Sequence, residues 1–139
     1  MAAVAALPVP AQTFLPVQDL APLIARVTGG KAPERGGIDI EIPPLAENGN
    51  SVPLRIRVES PMTAQDHVTA LHVFAERNPR AQVAAFHLGP HSGRAQVATR
   101  VRLAGTQNVT VLASLSGGRY RLAQKEVVVT AAACLDEAL

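Results

Sequence analysis

The chain has 139 residues, of which 47% are hydrophobic, 17% charged and 3% aromatic, with a formal net charge of +2. That length suits one domain with a sizeable core, and the apolar content argues against disorder. No apolar run is long enough for a membrane-spanning helix, and the few aromatics give no stacking platform for single-stranded nucleic acid. A single cysteine excludes an internal disulfide and a multi-thiol zinc site. The basic excess is local: residues 52–130 carry ten basic and four acidic side chains. It is too sparse to argue for nucleic acid and could instead meet an acidic partner or an anion.

Residues 1–13 form the first segment. Met1–Ala6 is small and apolar, and Val9-Pro10-Ala11 resembles a signal-peptidase site, although no basic region precedes it. The segment reads either as the remnant of an export signal or as an Ala/Pro leader. Residues 14–130 read as the folded domain and 131–139 as a tail bearing the cysteine.

The domain begins with a helix predicted over 14–28. Leu20, Leu23, Ile24 and Val27 fall at helical spacing, Asp19 can cap, Pro22 is tolerated in a first turn and Gly29-Gly30 ends the pattern. A helix this short must pack on something to persist. From Gly36 the period becomes two. Ile38, Ile40 and Ile42 alternate with Asp39 and Glu41, and Glu47-Asn48-Gly49-Asn50 reads as a turn that tolerates positive φ. Val52, Leu54, Ile56 and Val58 alternate with Arg55, Arg57 and Glu59, and Pro61 breaks the run. Further strands are predicted at Val68–Phe74, Val83–Leu88, Val97–Leu103, Val109–Leu115 and Arg119–Thr130, separated by Asn78-Pro79, Gly89-Pro90 and Gly117-Gly118. Seven strands with this punctuation, and no room for crossover helices, predict an all-β, Ig-like antiparallel sandwich.

Arg55/Arg57, Arg100/Arg102 and Arg119/Arg121 each place two guanidinium groups on one face of a strand. They read as a docking face for a partner or oxyanion, or as the wet side of a half-buried sheet. Four histidines give no helical ligand pair, because Gly89-Pro90 lies between His87 and His91, and His67 and His72 flank a strand. A structural or surface role fits them better than a metal. His91-Ser92-Gly93 lacks the strand–helix setting of a nucleophile elbow.

Cys134 stands four residues beyond Thr130. An unpaired cysteine of an exported protein suggests a reactive thiol or an intermolecular bond, and a thiolate forms adducts with sulfur electrophiles. Four extended residues reach about 14 Å. The competing reading is a small buried hydrophobe or an inert tail thiol.

Several ordered stretches carry a resemblance. They are Ala46-Glu47-Asn48-Gly49 with Val52-Pro53-Leu54, Val58-Glu59-Ser60-Pro61-Met62, and His72-Val73-Phe74-Ala75-Glu76-Arg77-Asn78-Pro79. Phe86-His87-Leu88-Gly89-Pro90, Ser92-Gly93-Arg94-Ala95 and Val127-Val128-Val129-Thr130, with a cysteine soon after, complete the series. From Gly36 to Cys134 the chain resembles the SoxY family, the sulfur-carrying subunit of periplasmic thiosulfate oxidation. The resemblance implies an Ig-like sandwich, a SoxZ-like partner subunit, no turnover of its own and no cofactor beyond sulfur held covalently on Cys134, which the family carries on a flexible arm. It further implies other Sox proteins that load, oxidise and hydrolyse the cargo. The family's tail usually sets glycine pairs around the cysteine, whereas here Ala131-Ala132-Ala133 precedes it and Leu135-Asp136-Glu137 follows. That tail is compatible with an extended last strand, a helical turn or a free arm. Asp136, Glu137 and the terminal carboxylate would disfavour the thiolate. A non-covalent interaction module that pairs with a SoxZ-like subunit and leaves the cysteine unused is the alternative function.

Overall fold

The strictest alternation in the sequence becomes the centre of a sheet. In the computed structural model, which describes residues 15–133, strand β4 (Val52–Val58) buries Val52, Leu54, Ile56 and Val58 and exposes the residues between them. β4 pairs antiparallel with β2 (Ile38–Glu41) on one side and β7 (Gln96–Val101) on the other, giving a three-stranded sheet.

The larger sheet runs in the order β1 (Glu34–Arg35), β9 (Arg119–Val129), β8 (Gln107–Leu115), β5 (Val68–Ala75), β6 (Gln82–His87). A further two-residue strand, β3 (Leu45–Ala46), also pairs with β9. The long strands are antiparallel to their neighbours; β1 and β3 lie parallel to β9. The sequence predicts seven strands and the structure has nine, because β1 and β3 are two residues long and show no alternation.

The core fills the space between the sheets. Ile40, Leu54, Ile56 and Val58 of the small sheet meet Leu71, Val73, Val109, Val111 and Ala113 of the large one. Each such aliphatic side chain contributes about 1.5–3 kcal/mol by leaving water. Met62, in the loop after β4, joins this core at a φ of 54°. A left-handed non-glycine residue costs about 1–2 kcal/mol. Burial offsets that cost, as do two hydrogen bonds: Met62 N–H donates to Ser60 Oγ at 3.1 Å, and Val68 N–H donates to Met62 Sδ at 3.4 Å.

The predicted helix is shorter than expected. α1 spans Ala21–Thr28, with Pro22 in its first turn and Gly29 closing it at a φ of 65°. Residues 15–20 stay non-helical, because Gln18 bonds elsewhere: its backbone N–H donates to Glu76 O at 2.8 Å and its side chain to Asn78 O. Asp19 Oδ1 accepts from Ala21 N–H at 3.0 Å, turning the chain into the helix. α1 lies on the outer face of the large sheet, against β8. It thereby covers a second apolar layer, in which Phe74 and Leu112 are fully buried on the face turned away from the core between the sheets. The 1–13 leader lies outside the described residues, and among those described no helix is long and apolar enough to cross a membrane.

Candidate functional site

The chain leaves its last strand at one end of the sandwich, and there it is held by backbone groups. Val128 N–H donates to Pro44 O at 2.9 Å, and Thr130 N–H donates to Ala46 O at 3.0 Å. Beyond the strand, Gly49 N–H donates to Ala131 O at 2.7 Å, and Ala133 N–H donates to Leu103 O at 3.0 Å. Leu103 N–H in turn donates to Gly49 O at 2.8 Å, which closes a three-way junction of the 48–50 turn, the 102–106 loop and the tail. Leu103 is fully buried there and Ala133 is buried too.

The junction stands on a buried polar centre. Asn78 Nδ2 donates to Arg102 O at 2.8 Å, while Asn78 Oδ1 accepts from Ala104 N–H at 2.9 Å and from Gln107 Nε2 at 3.0 Å. Gln107 Oε1 accepts from Arg77 N–H at 2.8 Å, and the Glu76 carboxylate accepts from Asn108 N–H at 3.1 Å. Asn78 and Gln107 are each almost inaccessible, at 4% and 3% exposure, so these bonds are made away from competing water.

Cys134, the one residue that the sequence singles out for sulfur attachment, lies outside the described residues. The described part of the predicted tail, residues 131–133, is fastened to the body. The reach from Thr130 to Cys134 is therefore not that of four free residues. Gly49 reads in the sequence as a turn residue that tolerates positive φ. In the structure it does not adopt one; its lack of a side chain serves close approach instead. A Cβ there would lie 2.5 Å from Leu103 O and 2.8 Å from Ala133 N. Sequence reasoning missed the junction, although two of the stretches that carry the family resemblance, Ala46-Glu47-Asn48-Gly49 and Glu76-Arg77-Asn78-Pro79, converge on it.

The arginine pairs do not form one face. Arg55, Arg57 and Arg100 share the outer side of the small sheet with Asp39 and Glu41, which stand opposite Arg57 and Arg55. Arg119 and Arg121 belong to β9 in the other sheet. Arg55 pairs with Glu41 at 3.7 Å and Arg119 with Asp66 at 2.6 Å, each with an exposed acid. Charges of both signs and wide separation fit the wet side of a sheet.

The histidines are dispersed as well. His67 Nδ1 lies 2.9 Å from Thr63 O, and His91 is exposed in a short 3-10 turn over Pro90–Ser92. His72 is partly buried on the outer face of β5; burial lowers its pKa, and the nearby His87 lowers it further. Among the described residues no group of three or more His, Cys, Asp or Glu is placed to hold a metal ion.

Comparisons with known proteins agree with this geometry. The family model described as Sulfur oxidation protein SoxY matches residues 24–134, a span that runs through Cys134. The solved structure of the sulfur carrier protein SoxY from Chlorobium limicola f thiosulfatophilum is 30% identical. It superposes with a TM-score of 0.66 over 80% of this chain and 96% of that one. A superoxide reductase (neelaredoxin) from Ignicoccus hospitalis is 17% identical, with a TM-score of 0.59 over 68% of this chain and 80% of that one. The superoxide reductase from Nanoarchaeum equitans is 13% identical, with a TM-score of 0.58 over 69% of this chain and the whole of that one. At such identities the two reductases show a shared fold alone. No curated protein matches the chain.

Proposed function

The chain belongs to the SoxY family, and from that premise we propose that it is a covalent carrier of sulfur intermediates, with Cys134 as the attachment residue. The observation that carries the reading is the family match, which extends to Cys134, the one cysteine of the chain. The junction supports it, since Ala133, the residue before Cys134 in the chain, is held by the 102–106 loop at an end of the sandwich.

The chemistry asks little of the carrier itself. Joining thiosulfate to the thiol forms one S–S bond between Sγ and the terminal sulfur. The thiol proton and two electrons leave, and the electrons go to a partner protein acting as oxidant. The attacking or conjugated form is the thiolate. The carrier has no turnover of its own; other Sox proteins load, oxidise and hydrolyse the cargo. A SoxZ-like subunit completes the working heterodimer, and the periplasm is its compartment.

The test is intact mass after incubation with thiosulfate and the purified Sox partners. The carrier reading expects an adduct in the wild-type chain and none in Cys134→Ser, with both forms binding a SoxZ-like subunit. A stable complex with an unmodified thiol throughout would instead establish the non-covalent interaction module.

A further inference from the structure

Among strands of four or more residues, β2, β6 and β7 end the two sheets, and they differ in chemistry. β2 carries Asp39 and Glu41 and β7 carries Arg100, whereas β6 carries no Asp, Glu, Lys or Arg. Charge on an edge strand discourages pairing with another chain, so β6 is the edge left open to it. We infer that β6 is a docking edge for an extended, carboxylate-bearing segment of a partner protein, which adds to the large sheet as a further strand. This edge would serve its partner whether or not Cys134 carries sulfur.

The backbone of β6 is poised for this. Leu88 N–H donates to Thr69 O at 2.9 Å, and His87 stands opposite Ala70. Antiparallel pairs alternate in their hydrogen bonding, so residues 84, 86 and 88 turn their backbone groups to β5. Ala85 and His87 turn theirs outward, where no strand of the sheet follows β6. Both residues are exposed. Val83 is the extra residue of a bulge between Gln82 and Ala84, so the regular stretch open to a partner is residues 84–88.

The core is also incompletely sealed on this side. β2 packs on β8 and β9, which places β7, at the other end of the small sheet, toward β5 and β6. Val83, Ala84, Phe86 and Leu88 at β6, and Val97 of β7, pack against the core yet stay only partly buried. Gln18 and Leu23 of α1 line an open groove of about 490 Å³ together with residues 80–85. A strand laid along β6 would cover these apolar edges and exchange backbone hydrogen bonds with Ala85 and His87.

Charge selects the partner. Between Glu76 and Glu126 the sequence has no Asp or Glu, but seven arginines and one lysine. That stretch supplies both flanks of β6. Arg80 lines the groove at one end, and His87, His91 and Arg94, all exposed, follow at the other. The acids that precede it are engaged elsewhere, Asp66 by Arg119 at 2.6 Å and Glu76 by Asn108. A second copy of β6 would bring the same cations to this edge and no acid to meet them. A segment with carboxylates meets cations at both flanks, and its apolar residues would lie beside Ala84 and Phe86.

Amide spectra of the full, isotope-labelled chain, titrated with short capped peptides to millimolar concentration, test the edge without any sulfur chemistry. A peptide of alternating Val and Glu is expected to shift the Ala85 and His87 amides and to leave those of Val111 and Leu112 unmoved. Its Val/Lys counterpart should bind at least about tenfold more weakly, as expected when several exposed ion pairs are lost together. Arg80→Glu combined with Arg94→Glu should erase or invert that preference. Ala85→Pro removes an outward N–H, which an edge strand tolerates, and should abolish the shifts. The wild-type titrations decide the matter even if neither variant folds. Ala85 and His87 unmoved by the Val/Glu peptide, or shifted equally by both peptides, would overturn the docking edge for an acidic segment. So would shifts of the same amides as the chain's own concentration rises, since the occupant would then be a second copy.

Discussion

The packed layers around β8 and the root of the tail are held by different forces. β8 is buried on both faces: Val109, Val111 and Ala113 fill the core between the sheets, and Thr110 and Leu112 lie beneath α1. Residues 131–133 are held instead by backbone hydrogen bonds to Gly49 and Leu103, with Ala133 as the one buried side chain among them. Apolar burial is cooperative and non-directional, so the β8 layers should open only when the whole domain unfolds. The two hydrogen bonds that hold residues 131–133 can open by themselves.

The largest way to break the contrast is to remove the outer apolar layer. Phe74→Ala should destabilise the domain by about 3–5 kcal/mol, a sizeable share of the 5–15 kcal/mol typical of a small domain. A urea titration should show one transition at a much lower midpoint, because the fully buried ring leaves a cavity between α1 and the sheet. A change under about 1 kcal/mol would mean that α1 does not seal this face.

Asn78→Ala probes the other side of the comparison. It strips partners from Arg102 O and Ala104 N–H, and about 1–3 kcal/mol is expected for buried polar groups left unsatisfied. Its global cost should therefore be below that of Phe74→Ala, while its effect on Ala133 exchange should be much larger.

A smaller effect concerns pH. The folded-state pKa of His72 lies below the ordinary 6.5, first through burial and then through His87. The unfolded chain therefore binds the proton more readily, and stability falls as pH drops through about 6.5 toward the folded value. His72→Gln should flatten that part of the stability profile, measured as urea midpoints between pH 7.5 and pH 5.5, and leave the profile above it unchanged. A profile as steep in the variant as in the wild type would remove His72 from the account.

The smallest effect is expected on the outer face of the small sheet. Arg55 and Glu41 are both about half exposed, so a double-mutant cycle to alanine should give a coupling of about 0–1 kcal/mol, weaker at high salt. A coupling of several kcal/mol would mean that charge, as well as packing, holds the sandwich.

How much of this could be read from the sequence follows from what each contact is made of. β4 was legible because its inner residues are aliphatic and its outer residues are charged or proline, and only one face of its sheet is covered. β8 was legible only in half: Val109, Val111, Ala113 and Leu115 alternate, but the burial of Thr110 and Leu112 depends on a helix some 85 residues upstream. The late start of α1 depends on Gln18 bonding to Glu76 and Asn78, partners that local propensity does not see. The junction was hidden more deeply. Its bonds run between backbone groups, which every residue carries. The turn at Gly49 and the strand end at Asn78-Pro79 were visible in the sequence, but their meeting at Leu103 was not. The arginine pairs illustrate the reverse, a pattern plain in sequence that the topology divides between two sheets.

The carrier reading is tested most directly by fragment mass spectrometry on the C-terminal peptide after incubation with thiosulfate and the Sox partners. The account predicts the added sulfur on Cys134, removable by a thiol reductant. A C-terminal peptide that stays unmodified while the partners are shown to load another SoxY chain would contradict it.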